Sequence, residues 1–194
     1  MSVEIKRVTG RKIQRFVTSL EEFKADGSIS ERDIVLDVQS MNAAGLEAII
    51  PLISEIAIVY IEQNEISPGE KAPASARAKW NAGLAEAIKA KVPVFLKTSP
   101  GVCFELVKVC STVYKSVYTP YEIGKPLEEV KDPVEKEDLL SKLEVSEYAL
   151  AIFNLTDMVS IIKNQIALFQ RQMGSSPRQE GGKTNAKTPE TPRN

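Results

Sequence analysis

The sequence predicts an α/β fold with a small, mostly parallel sheet flanked by helices. Two short runs rich in β-branched residues, 56–61 and 92–96, lie on either side of an Ala-rich segment of helical composition, residues 74–91. Two such runs around a helix are typical of a parallel βαβ unit. Ligand sites in parallel sheets form at the carboxyl ends of the strands, where Glu62 and Thr98 follow the two runs.

Before this unit, the sequence predicts a helix over residues 11–24 and a strand over residues 33–38. Apolar residues recur at helical spacing in the first segment and form a nearly continuous run in the second. A further helix is expected over residues 42–55. Pro51 should kink or restart it, because proline lacks the N–H for a helix-interior hydrogen bond. Residues 3–8 fit either a strand or a loose arm.

After the unit, Ser99 and Pro100 indicate the start of a helix, with Ser99 as the N-cap. Residues 113–118 either continue this helix or form an edge strand. A loop is expected over residues 120–133. A heptad stripe of apolar residues over 145–173 then predicts one long helix.

The length of 194 residues favours one domain, which we place at residues 1–173. Residues 174–194 are rich in Ser, Pro, Gly, Thr, Asn and charge, so they are predicted to be a disordered tail. No apolar run approaches the roughly 20 residues that a membrane-spanning helix needs, and no secretory signal is evident. We therefore expect a cytoplasmic protein without a membrane partner.

The chain has no histidine, which excludes His-based acid–base catalysis, Cys/His zinc sites and Ser-His-Asp triads. Cys103 and Cys110 fall in one predicted helix, about 10 Å apart along its axis, which is too far for a disulfide. Any catalysis would have to rest on carboxylates, Lys, Tyr or a hard metal ion.

Positive charge is concentrated in two stretches of a chain whose net charge is −1. One is the N-terminal stretch, and the other is residues 71–97, where Glu86 is the only acid. Basic blocks beside acidic ones indicate a phosphate-binding face, with an ordinary solvated surface as the alternative. The residues expected to contact nucleic acid are Arg11, Arg77, Lys79, Trp80, Lys89 and Lys97.

Several carboxylates come from distant parts of the predicted fold. Asp37 and Glu62 lie near the ends of two predicted strands, whereas Glu144 and Glu147 precede a late helical segment. Carboxylates gathered in this way can hold two Mg²⁺ ions about 3.5–4 Å apart and hydrolyse a phosphodiester without histidine. All four are candidate catalytic residues, and Asp37, Glu62 and Glu147 are the candidate metal ligands. The alternative is that they are surface acids and that Trp80 packs in the core.

Four stretches, taken in order, resemble the middle of RuvC-like Holliday-junction resolvases: residues 60–63, the Ala-rich helix with Trp80, and residues 92–95 and 99–102. The resemblance implies an RNase H-like fold and a Mg²⁺-dependent, structure-selective endonuclease, with DNA favoured over RNA. Glu62 would match the family's second metal-binding carboxylate.

Asp37 with Asn42 is similar to the family's first metal-binding position, and Glu144 and Glu147 look like its last acidic pair, one residue out of step. Two features depart from the family. Gln39 stands where the family has glycine, and the interval between the first two carboxylates is too short for the family's hairpin. A relative without catalytic activity is therefore the alternative within this resemblance.

A non-enzymatic assembly or adaptor protein, as a subunit of a nucleoprotein complex, is the alternative from a different class. A continuous helix over residues 145–173 would be about 43 Å long, whereas a sheet of five strands is about 24 Å across. We therefore expect Ile162, Ile166 and Phe169 to be exposed and to form a homodimer or a partner-helix interface.

Overall fold

The computed structural model describes residues 2–8, 11–23, 25–64 and 72–174. One sheet contains, in chain order, β1 (Ser2–Val8), β2 (Arg11–Phe23), β3 (Ile29–Gln39), β4 (Ser111–Ser116) and β5 (Leu127–Glu129). Between β3 and β4 lie α1 (Ala43–Ala48), α2 (Ile50–Asn64), α3 (Ala74–Thr98) and α4 (Pro100–Cys110). After β5 follow α5 (Pro133–Ser141), α6 (Val145–Leu155) and α7 (Met158–Gly174).

The α/β class is confirmed, but the prediction of a mostly parallel sheet is wrong. Every pair of neighbouring strands is antiparallel, and the strand order in the sheet is the order in the chain. Antiparallel neighbours can be joined by a short turn, as β2 and β3 are. In that turn Gly27 has a φ of 81° and Asp26 accepts a hydrogen bond from the N–H of Ser28. The structure therefore gives no support to the RNase H-like arrangement.

The helix predicted over residues 11–24 is strand β2. It pairs with β3 along nearly its whole length, from Ile13 opposite Gln39 to Phe23 opposite Ile29. Its apolar residues mimicked helical spacing because they occupy both faces of the sheet, with Phe16 on the helix side and Val17 on the other. Strand pairing over a long register outweighs a weak helical periodicity. Residues 2–8 form a strand, one of the two alternatives considered.

The two strands predicted over residues 56–61 and 92–96 are helical, because the first lies in α2 and the second in α3. In α3 the buried side chains recur every four residues, at Leu84, Ile88, Val92 and Leu96. A short apolar run does not distinguish a buried strand from a buried helix turn by periodicity alone. Glu62 therefore lies in the last turn of a helix, and its side chain is outside the described residues.

Helices α4 and α6 pack on one face of the sheet, which we call the inner face. The inner face contributes Phe16, Ile34, Leu36, Val38 and Val113 to a hydrophobic core shared with the helices. Helices α2, α3 and α7 pack behind α4 and α6 as a second helical layer. The opposite face of the sheet, the outer face, carries the alternate residues of each strand.

Pro51 restarts the helix as expected, since α1 ends at Ala48 and Pro51 lies in the first turn of α2, where its missing N–H removes no helical bond. Helix α4 begins at Pro100 as predicted, although the side chain of Ser99 makes no capping hydrogen bond. Residues 113–118 were expected to continue the helix or to form an edge strand. The first four of them belong to strand β4, which is paired on both sides, with β3 and with β5. Strand β5 interrupts the predicted loop.

The predicted long C-terminal helix is two helices, α6 and α7, whose axes meet at 72°. Asp157 caps α7 by accepting hydrogen bonds from the N–H and the hydroxyl of Ser160, at 3.1 and 2.7 Å. The bend returns the apolar stripe to the core, so the expected exposure of Ile162 and Ile166 is wrong: they are 0% and 1% exposed. Phe169 is half-buried against the same core. Of the predicted tail over residues 174–194, Gly174 is the last residue of α7, and residues 175–194 lie outside the described residues.

Candidate functional site

Asp37 is bound by an arginine on the neighbouring strand. Arg15 and Asp37 are directly opposite each other in the register of β2 and β3, on the outer face. Nε and Nη2 of Arg15 donate to Oδ1 and Oδ2 of Asp37 at 2.6 and 2.5 Å. The hydrogen bonds from Arg15 to Asp37 raise the pKa of Arg15 above its ordinary value. A metal ion at Asp37 would have to displace a guanidinium that holds both carboxylate oxygens.

Tyr121, in the connection between β4 and β5, ties this ion pair into a larger polar network. Its hydroxyl accepts a hydrogen bond from Nη1 of Arg15 at 3.2 Å, and its backbone N–H donates to Oδ2 of Asp33 at 2.5 Å. Ser19 Oγ donates to the other carboxylate oxygen of Asp33, also at 2.5 Å. Asp33 is 4% exposed. The network therefore holds the connection between β4 and β5 against the outer face of β2 and β3.

Glu144 and Glu147 lie on the other side of the sheet from Asp37. Both stand at the start of α6, where the neighbouring Tyr148 packs edge-on against Phe16 of the inner face, with ring centroids 5.1 Å apart. The predicted metal set of Asp37, Glu62 and Glu147 is thus not brought together at Asp37. Among the residues described, no three Asp, Glu, Cys or His side chains are placed to hold a metal ion.

The predicted nucleic-acid contacts, apart from Arg11, all lie on α3. The buried stripe fixes one side of this helix against the core, and Arg77, Lys79, Lys89 and Lys97 are exposed to solvent. Lys91 is engaged in an ion pair with Glu55 at 2.6 Å. Arg11 belongs to β2, and its side chain lies outside the described residues.

Trp80 is half-buried at the junction of α2, α3 and α7. Its ring packs edge-on against Tyr60 with centroids 5.1 Å apart, and the hydroxyl of Tyr60 donates to the carbonyl of Trp80 at 2.7 Å. Nζ of Lys163, on α7, lies 6.0 Å from the centre of the Trp80 ring. At this distance the ring attracts the ammonium group electrostatically. Trp80 is therefore partly a packing residue, as the alternative reading held.

Lys163 is a cation of this region that the sequence analysis did not select. The signal was available, because α7 contains Lys163 and Arg171 and no Asp or Glu. The basic character of α7 could be connected with α3 only once the position of α7 was known. The bend before Met158 brings residues 158–174 back against α2 and α3.

A groove of about 340 Å³ lies between α3 and the bend that joins α6 to α7. Lys89 and Pro93 line it from α3, and Asp157 lines it from the bend. The charge of Asp157 opposes binding of an anion in the groove. Lys89 is therefore expected to be the weakest phosphate contact among the α3 cations.

Comparison of the chain with known protein families, with curated proteins and with solved structures found no match. Within the described residues, no single helix is long and apolar enough to cross a membrane. Residues 145–155 and 158–169 reach that length and hydropathy only together, across their 72° bend.

Proposed function

We propose that this protein binds nucleic acid, with DNA favoured over RNA, through the exposed cations of α3 and α7. These cations, which we call the basic surface, are Arg77, Lys79, Lys89, Lys97 and Lys163. Lys79 and Lys97 share one side of α3, whereas Arg77 and Lys89 lie around the helix from them. The observation that carries the proposal is the placement of Lys163 at the ring of Trp80, because it adds a cation of α7 to those of α3.

The spacing of the α3 cations suits a phosphate backbone. Lys79 and Lys97 are 18 residues apart, which is five full turns, so they point to the same side of α3 about 27 Å apart. That length matches about eight phosphates along one strand of a duplex at 3.4 Å each. The core stripe holds α3 in place, so the cations are presented by a rigid element rather than a loop.

Glu86 lies between Lys79 and Lys97 on the same side of α3 and is exposed. A carboxylate there opposes phosphate binding by like-charge repulsion. Glu86 therefore provides a test in which affinity rises, which loss of folding cannot imitate.

The proposal is for binding rather than cleavage. Asp37 is held by Arg15, and Glu147 lies on the opposite side of the sheet, so the described carboxylates do not form a two-metal site. An adaptor role through the C-terminal helix is not favoured either, because Ile162 and Ile166 belong to the core.

The test is fluorescence anisotropy with labelled single-stranded DNA, duplex DNA, branched DNA and RNA over a series of salt concentrations. Lys79→Gln and Lys97→Gln should each weaken binding and reduce the salt slope by about 0.7–0.9. Glu86→Gln should strengthen binding. Lys142→Gln is the matched control, since Lys142 is an exposed lysine at the C-terminal end of α5, outside α3 and α7, and is paired with Asp138.

The proposal fails if the intact protein has no measurable affinity for any of these probes at low salt. It also fails if Lys142→Gln weakens binding as much as Lys79→Gln does, because binding would then reflect charge in general rather than this surface.

A further inference from the structure

The far end of the β2–β3 hairpin presents an apolar pair to solvent. Phe23, the last residue of β2, and Ile29, the first residue of β3, are direct cross-strand partners and are 76% and 57% exposed. Ile29 precedes Asp33 and Asp37 of the same strand by four and eight residues, so its side chain lies on the same outer face. Phe23 is directly opposite Ile29 and shares that face. Packing within the described part of the chain therefore leaves both side chains largely uncovered.

The next pair on the same face consists of two carboxylates. Glu21 on β2 stands directly opposite Glu31 on β3, and both side chains are exposed. Like charges that face each other across two strands destabilise a sheet. We call the four residues Glu21, Phe23, Ile29 and Glu31 the distal hairpin surface.

We propose that the distal hairpin surface docks a segment of another protein that combines apolar side chains with Lys or Arg. An apolar side chain of the segment covers Phe23 and Ile29, and its cation lies between Glu21 and Glu31 and relieves their repulsion. The repulsion between the carboxylates of Glu21 and Glu31 in the free protein is then offset by the cation of the bound segment. This interaction is independent of the nucleic-acid binding proposed for α3 and α7.

Charge decides which occupant fits. A nucleic acid would bring phosphates against two carboxylates, and a second copy of this surface would bring its own pair of carboxylates against them. The nearby connection after β4 carries an exposed Tyr118, with Nζ of Lys125 5.9 Å from its ring and 3.6 Å from Glu122. That lysine is already beside a carboxylate, so among the side chains described here the acidic pair is the charge that a partner meets.

The probe is a short synthetic peptide of alternating Lys and Leu, titrated into the ¹⁵N-labelled full chain and followed by NMR. We expect shift changes concentrated at residues 20–32. Two matched peptides serve as controls, one with Glu in place of Lys and one with Ser in place of Leu, and neither should produce them.

Two variants test the two halves of the surface. Phe23→Ser should weaken peptide binding by about tenfold, as loss of one buried apolar side chain predicts. Glu31→Lys should weaken it severalfold and also raise the thermal midpoint of the free protein, because a like-charge pair becomes an opposite pair. Glu47→Lys on α1, an exposed glutamate elsewhere, should leave peptide binding unchanged.

The proposal is overturned if the acidic peptide shifts the same residues or if Glu31→Lys binds the basic peptide as tightly as wild type. Concentration-dependent dimerisation that Phe23→Ser abolishes would also overturn it, because the occupant would then be a second copy. Both variants should bind DNA as the wild type does, which separates this test from that of the α3–α7 surface.

Discussion

Arg15 holds both carboxylate oxygens of Asp37, its direct partner across β2 and β3, and the two side chains are only 14% and 15% exposed. Arg15→Met would leave the Asp37 carboxylate largely buried without its cation. We expect the free energy of unfolding to fall by about 3–5 kcal/mol, measured by urea denaturation.

Two further variants show whether this loss is electrostatic. Lys142→Met breaks the Lys142–Asp138 pair, which is more than half exposed, and should cost less than about 1 kcal/mol. The double variant Arg15→Met, Asp37→Leu removes both charges and should recover most of the stability, because an apolar pair needs no partner. A double variant as unstable as Arg15→Met alone would contradict this account.

Gly45 allows α1 to approach α4 closely. A Cβ at this position would lie 2.6 Å from Sγ of Cys110 and 3.2 Å from a methyl group of Leu106, and both neighbours are buried. Gly45→Ala should therefore destabilise the protein by about 1–3 kcal/mol through overpacking. Cys110→Ala removes the closest atom, so the double variant should be less destabilised than the sum of the two single variants. If urea denaturation shows that the two changes in the free energy of unfolding simply add, contact with Sγ of Cys110 is not the reason that Gly45→Ala is destabilising.

The buried thiols of Cys103 and Cys110 predict a loss of stability at alkaline pH. Burial raises the pKa of both thiols, so the folded chain keeps protons that the unfolded chain loses above its ordinary thiol pKa of about 8.5. The free energy of unfolding should therefore fall as the pH rises past that value. Urea denaturation under reducing conditions from about pH 7 to 9.5 should show a flatter profile for Cys103→Ala, Cys110→Ala.

Lys136 acts in the opposite direction and has to be separated from the thiols. Burial lowers the pKa of Lys136, whose Nζ donates to the carbonyls of Lys108 and Ser111 at 2.7 Å. Its contribution to stability rises with pH. Because Lys136 interacts electrostatically with the Cys110 thiol, the single variant Cys103→Ala is the cleaner comparison with the wild type, since it keeps both Lys136 and Cys110. Parallel profiles would contradict the prediction for the thiols.

The sequence was informative where burial is set locally. The apolar run Ile34-Val35-Leu36 predicted a strand, and it is the fully buried centre of β3. The strand prediction failed for residues 56–61 and 92–96, because a short run of apolar residues fits a buried helix turn as well as a buried strand. Nothing local distinguishes these cases, because the choice depends on which surface each run meets.

The candidate site divides in the same way. The exposed cations of α3 were recognisable from charge, since exposed lysines need no specific neighbour. The environment of Asp37 was not, because Arg15 comes from a segment expected to be a helix and Tyr121 from a loop. One signal was readable and unused: Asp157 with Ser160 is an N-cap pattern inside the heptad stripe, and it marks the break between α6 and α7.

The same break reverses the expected effect of a charge at Ile166. On a straight exposed helix, Ile166→Asp would separate an assembly and leave the monomer folded, but Ile166 is 1% exposed and packs in the core between α7 and its neighbours. Placing a carboxylate there should cost several kcal/mol, enough to unfold a protein of ordinary stability. Leu168, two residues along the same helix, is 50% exposed, so Leu168→Asp should change the free energy of unfolding by less than about 0.5 kcal/mol. Circular dichroism during thermal unfolding distinguishes the two variants, and a folded Ile166→Asp protein with a wild-type midpoint would show that α7 does not pack as described.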